Sequence, residues 1–355
     1  MNERKVSLQD LCKHLETQGF DCQIEGNPAT MIDAVDTLED AGSGNISFLA
    51  NPKYRQHLET TAASAVIVGH DDTAPAHLAL IRCADPYAAI SAAIVWIHGY
   101  RRHPQWGRHE RATIDPTATI GANANIGPYV DIAAGVTLGA NAVVYPGCYI
   151  GANATIGDDV ILYPNVTIYA ESRLGDRVTL HSGTVVGEDG LAYAPVAARW
   201  SKIPAIGHVV IEDDVEIGAN CSINNATVGE TRIGKGTKFS DGIVIGHGVS
   251  IGENCIFVAQ SGVAGSTKIG NNVQMAGGVL VSGHLRIGDN VTLGGRSVVW
   301  SNIESGQNYL GNPAQNSFSY RKKLAAVNRL PDMRQKLLNL EREVAGLRKR
   351  LAELG

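Results

Sequence analysis

Aliphatic residues recur in this chain at a strict interval of six. Thirteen in succession share one phase from Ile114 through Ile120, Ile126, Ile132, Leu138 and onward to Val186. The phase resumes at Ile211, Ile217 and Ile223, slips by four residues, and runs again from Ile233 through Phe239, Ile245, Ile251 and Phe257 to Val299. Gly often follows the aliphatic position directly, as at Ile120-Gly121, Ile156-Gly157, Ile217-Gly218 and Ile287-Gly288. A strand alternates with period two and a helix repeats near 3.6, so neither accounts for a period of six. Six residues can instead form one short flat side of a triangular coil, with the aliphatic side chain inward and a turn at the corner. Three sides make an 18-residue coil, and coils stack at about 4.8 Å, the spacing of paired strands. The 28 repeats predict roughly nine coils.

Two interruptions break the pattern. Residues 187–210 are too long for a corner and should project as a loop; the slip between Ile223 and Ile233 is a smaller bulge. Loops on a rigid scaffold are common binding places, although both could be structural decoration. Residues 1–104 lack the repeat and read as a separate α/β domain. Ser7 and Asp10 there form a capping box that opens a helix through Leu15, and Ser64–Val68 reads as a buried strand. The stretch 101–111 reads as a linker, and the coil domain as 105–303. Over 304–355 a helical extension is expected. Leu337, Leu340, Val344, Leu347, Leu351 and Leu354 are spaced as a heptad seam, compatible with a short coiled coil tying subunits together.

Composition narrows the class. Forty Gly against five Phe and four Trp suit repeated tight turns around a narrow interior. A net charge of −5 gives no reason to expect nucleic acid as a partner. Six scattered cysteines without a C-x-x-C pair read as reduced thiols in a cytoplasmic protein. The start lacks the apolar core of a signal peptide, and Tyr87–Tyr100 is too short and mixed to span a membrane, so no stable membrane insertion is expected.

Two of the eleven histidines stand out by their place in the coil. His247 follows inward-facing Ile245 by two residues, and His284 follows Val281 by three. Two coils plus one residue separate them, which puts both on the same side of the triangle about 10 Å apart along the axis. Eighteen residues after His247 comes Gly265, whose backbone N–H would be open to a substrate oxygen. The residues alone leave His247 as a surface histidine, a metal ligand or a base. Neither histidine has a near-sequence histidine partner, and no metal is expected.

The segments HSGTVVGEDGLAY (181–193), WSKIPAIGHVVIEDDVEIGAN (200–220) and VAQSGVAGSTKIGNNV (258–273) resemble signatures of the hexapeptide-repeat N-acyltransferases of lipid A biosynthesis, which act on UDP-3-O-acyl-glucosamine. The resemblance runs over the whole chain and implies a left-handed parallel β-helix assembled as a homotrimer. It implies catalytic roles for His247 and His284 and an oxyanion-binding role for Gly265. It also implies uridine binding by Phe48, Asn51 and Tyr54, although the segment alone says little, because Phe and Tyr are more often core residues. The acyl donor would be acyl carrier protein, carrying the acyl group on its phosphopantetheine with no cofactor of the enzyme's own. Arg321, Lys322 and Lys323 are candidates for docking that acidic carrier, or ordinary solvated charge. The chain departs from the family pattern where Asp-Asn is usual, with Ser240-Asp241, and where Ile-Asp-Arg-Gly is usual, with Ile223-Asn224-Asn225-Ala226. Asp241 is a candidate to replace the missing acid. The departures keep two rivals in view: the same chemistry on another nucleotide-linked amino sugar, and a non-catalytic nucleotide-sugar-binding β-helix.

Overall fold

In the computed structural model, which describes residues 4–352, the chain divides into two compact units, Met1–His103 and Pro104–Gly355. In the first, helix α1 (Leu8–Thr17) starts where the sequence places its cap: the Ser7 Oγ accepts the Asp10 N–H at 3.1 Å. Its buried residues Leu8, Leu11, Cys12 and Leu15 recur at three and four, the stripe that faces a core. Helix α2 (Pro86–His98) has Pro in its first turn, and the Asp85 Oδ1 accepts the N–H of Tyr87 and Ala88. Beside the helices lies a five-stranded sheet in the order 23–25, 79–82, 65–68, 45–48, 34–35. The first pairing is antiparallel and the rest are parallel. Ala65–Val68, at the sheet centre, is wholly buried, as its uninterrupted apolar run requires.

In the second unit every six-residue aliphatic position is the second residue of a two-residue strand or lies within a slightly longer one. These strands stack into three parallel sheets, the faces of a triangular coil. The first face holds ten strands, from Thr113–Ile114 to Val298–Val299. The second holds nine, from Thr119–Ile120 to Arg286–Ile287, and the third begins at Asn125–Ile126. In the first face Ile132, Ile150, Ile168, Val186, Ile223, Ile245, Val263, Val281 and Val299 pair in register, forming a continuous buried column. Each fully buried aliphatic contributes about 1.5–3 kcal/mol of transfer free energy, so the column holds the coil together without any large aromatic core. The corners need a residue in the left-handed backbone region, and Asn supplies it at Asn141, Asn153, Asn165 and Asn254.

The structure refines the predicted boundaries. The coil begins inside the expected linker, where Arg108 bridges to Ile126. The 187–210 loop is shorter at its root, because Val185–Asp189 and His208–Ile211 stay in the sheets. What projects is a hairpin of Tyr193–Val196 against Arg199–Lys202. Beyond residue 304, Asn308–Leu310 and Gln315–Asn316 prolong the third face before the helices α3 (Ser317–Asn328) and α4 (Leu330–Ala352). The heptad residues Leu337, Leu340, Val344, Leu347 and Leu351 all lie on α4 and are exposed; Leu354 lies outside the described residues.

Candidate active site

One corner of the coil, between the first and second faces, gathers most of the candidate chemistry. Both interruptions leave from it: the hairpin departs after the first-face strand Val185–Asp189, and the bulge departs after the first-face strand Ser222–Asn225. In the next coil the corner is Gly246-His247-Gly248, then Ala264-Gly265-Ser266, then Ser282-Gly283-His284. The chain returns each time to the second face, at Ser250, Lys268 and Arg286.

The His247 imidazole lies against Gly265. A Cβ at Gly265 would stand 2.5 Å from His247 Nε2 and 2.7 Å from Cε1, so only glycine lets the ring lie there. Ser266 N–H donates to the His247 carbonyl at 2.9 Å, and His284 N–H donates to the Gly265 carbonyl at 3.0 Å. These bonds lock the three residues into one stack. His284 has φ 62°, a left-handed corner conformation that turns its side chain out of the coil.

The Gly265 N–H itself has no hydrogen-bond partner among the described residues. On the corner between the second and third faces the matching N–H is capped by a side chain from the next coil: Ala140 by Asp158, Asp158 by Asp176, Asn271 by Asp289. Above Gly265 the matching residue is Gly283, which has no side chain to cap with. An imidazole beside an uncapped N–H is an arrangement that can take a proton and stabilise a negative oxygen.

The hairpin root closes over the histidine. A Cβ at Gly190 would lie 3.1 Å from His247 Cβ and 3.4 Å from Asn224 Cβ. Glu188, two residues earlier, accepts hydrogen bonds at Oε1 from Ser222 Oγ and from Asn224 Nδ2, the latter at 2.6 Å. Sequence reasoning missed Glu188 because its role depends on burial. The shared origin of the two interruptions was available, since Val186 and Ile223 both occupy first-face positions.

Asp241 does not sit with His247 in the chain. It follows Phe239 onto the corner between the third and first faces, where its Oδ1 accepts the Ala219 N–H at 2.7 Å. Arg321, Lys322 and Lys323 are exposed on α3. Consecutive helical residues point about 100° apart, so the three cannot face one surface together.

In the first unit Phe48, Asn51 and Tyr54 line one cleft of about 480 Å³, together with Thr37–Asp40 and Tyr87. Tyr87, 33 residues after Tyr54, carries no local signal in the sequence. Its ring is 68% exposed and lies 6.0 Å from Phe48, tilted by 55°, and Tyr54 is 54% exposed. Three aromatic rings on a cleft wall, two of them open to solvent, offer faces to a flat ligand. Asn51 has a structural duty too: its Oδ1 accepts the Lys53 N–H at 3.1 Å and caps the 3₁₀ helix Pro52–Glu59, which leaves its amide NH₂ for a ligand.

Among the described residues no group of three or more His, Cys, Asp or Glu side chains is placed to hold a metal ion, and no helix is long and apolar enough to cross a membrane.

Comparison with known proteins assigns these features to a family. Residues 29–96 match the profile described as UDP-3-O-(3-hydroxymyristoyl) glucosamine N-acyltransferase. Residues 117–152 and 153–188 match the bacterial transferase hexapeptide, and 248–282 and 284–306 the hexapeptide repeat of succinyl-transferase, the repeats of the left-handed β-helix. The UDP-3-O-acylglucosamine N-acyltransferase of Syntrophotalea carbinolica is 52% identical over 93% of this chain and 96% of its own. Its namesake in Nitratidesulfovibrio vulgaris is 50% identical over 96% of both chains. A third, from a Geobacter species, is 48% identical over 98% of this chain and 99% of its own. With a triangular hexapeptide coil and relatives of this identity along nearly its full length, the chain belongs to the UDP-3-O-acylglucosamine N-acyltransferase family.

Proposed function

We propose that the protein transfers a 3-hydroxyacyl group from the phosphopantetheine thioester of acyl carrier protein to the 2-amine of UDP-3-O-acyl-glucosamine, in the cytoplasm. The observation that carries the reading is the His247 ring packed on Gly265, whose N–H is uncapped. His247 acts as general base. Imidazole is the side chain best suited to taking up and returning a proton at neutral pH. As the amine nitrogen attacks the thioester carbonyl, the Gly265 N–H receives the developing oxyanion; one such donor is worth about 2.7–4 kcal/mol in other enzymes. His284, joined to Gly265 through the backbone, borders the same reacting group. Phe48, Asn51 and Tyr54 take the uracil ring by stacking and by the Asn51 amide, and Tyr87 joins them. No cofactor of the enzyme's own is needed.

The working assembly in this reading is a homotrimer. Exposed apolar residues along α4 support it, because a lone helix with Leu337, Leu340 and Leu347 in water gains by pairing with copies of itself. Of Arg321, Lys322 and Lys323, Arg321 is the candidate docking cation for the carrier, because it borders a cleft beside Gln307 and Phe318 that the two lysines do not line. The test is turnover of UDP-3-O-acyl-glucosamine with a series of acyl carrier thioesters, read by mass. Formation of the N-acylated product is expected; nucleotide-sugar binding without product from any thioester would refute the reading.

A further inference from the structure

The corner that holds His247 also holds two acceptor oxygens with nothing to accept. Glu188 Oε2 and Asn225 Oδ1 are both buried, and neither has a hydrogen-bond partner among the described residues. Asp189 pairs in register with Asn225, and Ile223 pairs with Ile245, so two residues further on Asn225 stands one coil below His247. Glu188 is held in place through its other oxygen by Ser222 and Asn224, and Asn224 and His247 both pack on Gly190. A fixed carboxylate with one buried free oxygen is costly to keep unless something donates to it. The Ser222 hydroxyl and one Asn224 N–H are spent on Oε1, which leaves Oε2 and the Asn225 oxygen as two open acceptors on the corner of the coil that carries His247.

We infer that Glu188 and Asn225 bind the nitrogen of the acceptor amine and present it to His247. This rests on the acyl-transfer reading above and names the part of the corner that recognises the amine. The chemistry fits a nitrogen better than a hydroxyl. An amine offers two N–H donors, or three as ammonium, whereas a hydroxyl offers one. When the nitrogen lone pair forms the N–C bond, the carbonyl π pair moves to oxygen and the nitrogen becomes positive. His247 then takes one N–H proton. The tetrahedral intermediate collapses with cleavage of the C–S bond, and the leaving thiolate receives the proton back from the imidazolium. The Glu188 carboxylate is attracted most strongly while the nitrogen is cationic, so its charge favours the transition state over the neutral amine. The acid is therefore supplied from the hairpin root, on the same corner as the base.

The experiment compares wild type, Glu188→Gln and Asn225→Ala, with thermal melts to show that each folds. Gln keeps the shape and one acceptor oxygen but removes the charge. Two readouts are taken: kcat/KM with the amine acceptor, and calorimetric binding of UDP-3-O-acyl-glucosamine against its 2-hydroxy counterpart at pH 7. Wild type should prefer the amine, and Glu188→Gln should lose that preference and fall on the order of 10- to 100-fold in kcat/KM, the size of a charge-assisted hydrogen bond. Asn225→Ala should fall in the same direction by less. An unchanged amine preference in Glu188→Gln, with kcat/KM within about threefold of wild type, overturns the inference while leaving acyl transfer standing. Loss of the preference in an enzyme that turns over no thioester would uphold the amine site and overturn the acyl-transfer reading instead.

Discussion

Substituting Gly265 by Ala adds one methyl group where the His247 ring lies. The new Cβ would be 2.5 Å from Nε2, 2.7 Å from Cε1 and 2.9 Å from Cδ2, roughly 0.9 Å inside the onset of ordinary contact. Gly265 does not have a positive φ, so Ala fits its backbone, and the three atoms nearest the new methyl all belong to the imidazole. The ring must move by about 1 Å, and a displacement of that size from a productive position costs on the order of 10²-fold in rate. Two neighbouring glycines serve as controls. At Gly190 the nearest His247 atom would be 3.1 Å away, and at Gly283 the new methyl would meet the Gly265 carbonyl at 3.1 Å, the Ala264 methyl at 3.8 Å and the Gly265 nitrogen at 3.9 Å, none of them closer than 3 Å and none of them the imidazole. Steady-state kinetics should therefore rank the losses as Gly265→Ala well above Gly190→Ala, with Gly283→Ala smallest. Melting temperatures should change little for all three. A Gly265→Ala enzyme within a few-fold of wild-type kcat would refute the reasoning, because it would mean that the position of this ring does not matter to the reaction.

Light scattering should give about three times the 37.6 kDa chain mass, and a stable monomer would contradict the assembly. Tyr54→Ala should weaken binding of uridine monophosphate by about 5- to 100-fold, the range for one base–aromatic stack, measured by calorimetry; unchanged affinity would remove the cleft from nucleotide binding. All six cysteines are buried, and burial raises every one of their thiol pKa values, Cys22 to about 12 and Cys148 to about 11. The thiolate is the reactive form, and raising the pKa depletes it. At pH 8 the folded protein should therefore react with a disulfide reagent far more slowly than the unfolded chain, and rapid modification of the folded protein would contradict this.

The triangular coil was legible because its constraint is local. Each six-residue side must put one aliphatic inward, and glycine must follow where a side chain would strike the next coil, so Ile156-Gly157 and Ile251-Gly252 signal the architecture directly. The stack of His247, Gly265 and His284 was legible for the same reason, since multiples of eighteen map onto one corner. What escaped the sequence depends on burial and on long-range packing. Glu188 reads as one more charge in a polar loop until its carboxylate is seen to be enclosed. Tyr87 belongs to a helix whose spacing gives no hint that its ring turns to the cleft of Phe48. The two short strands after residue 304 lack the aliphatic period and could not be read. Asp241 is a candidate in the sequence for the acid missing from the family pattern, but it stands six residues before His247, and six residues is one full side, which puts it on another corner.

The central claim is that His247 is the base. Substituting it by Ala should lower kcat by on the order of 10² or more while binding of the UDP-sugar acceptor stays close to wild type. An alanine enzyme whose kcat stays within a few-fold of wild type would contradict the account.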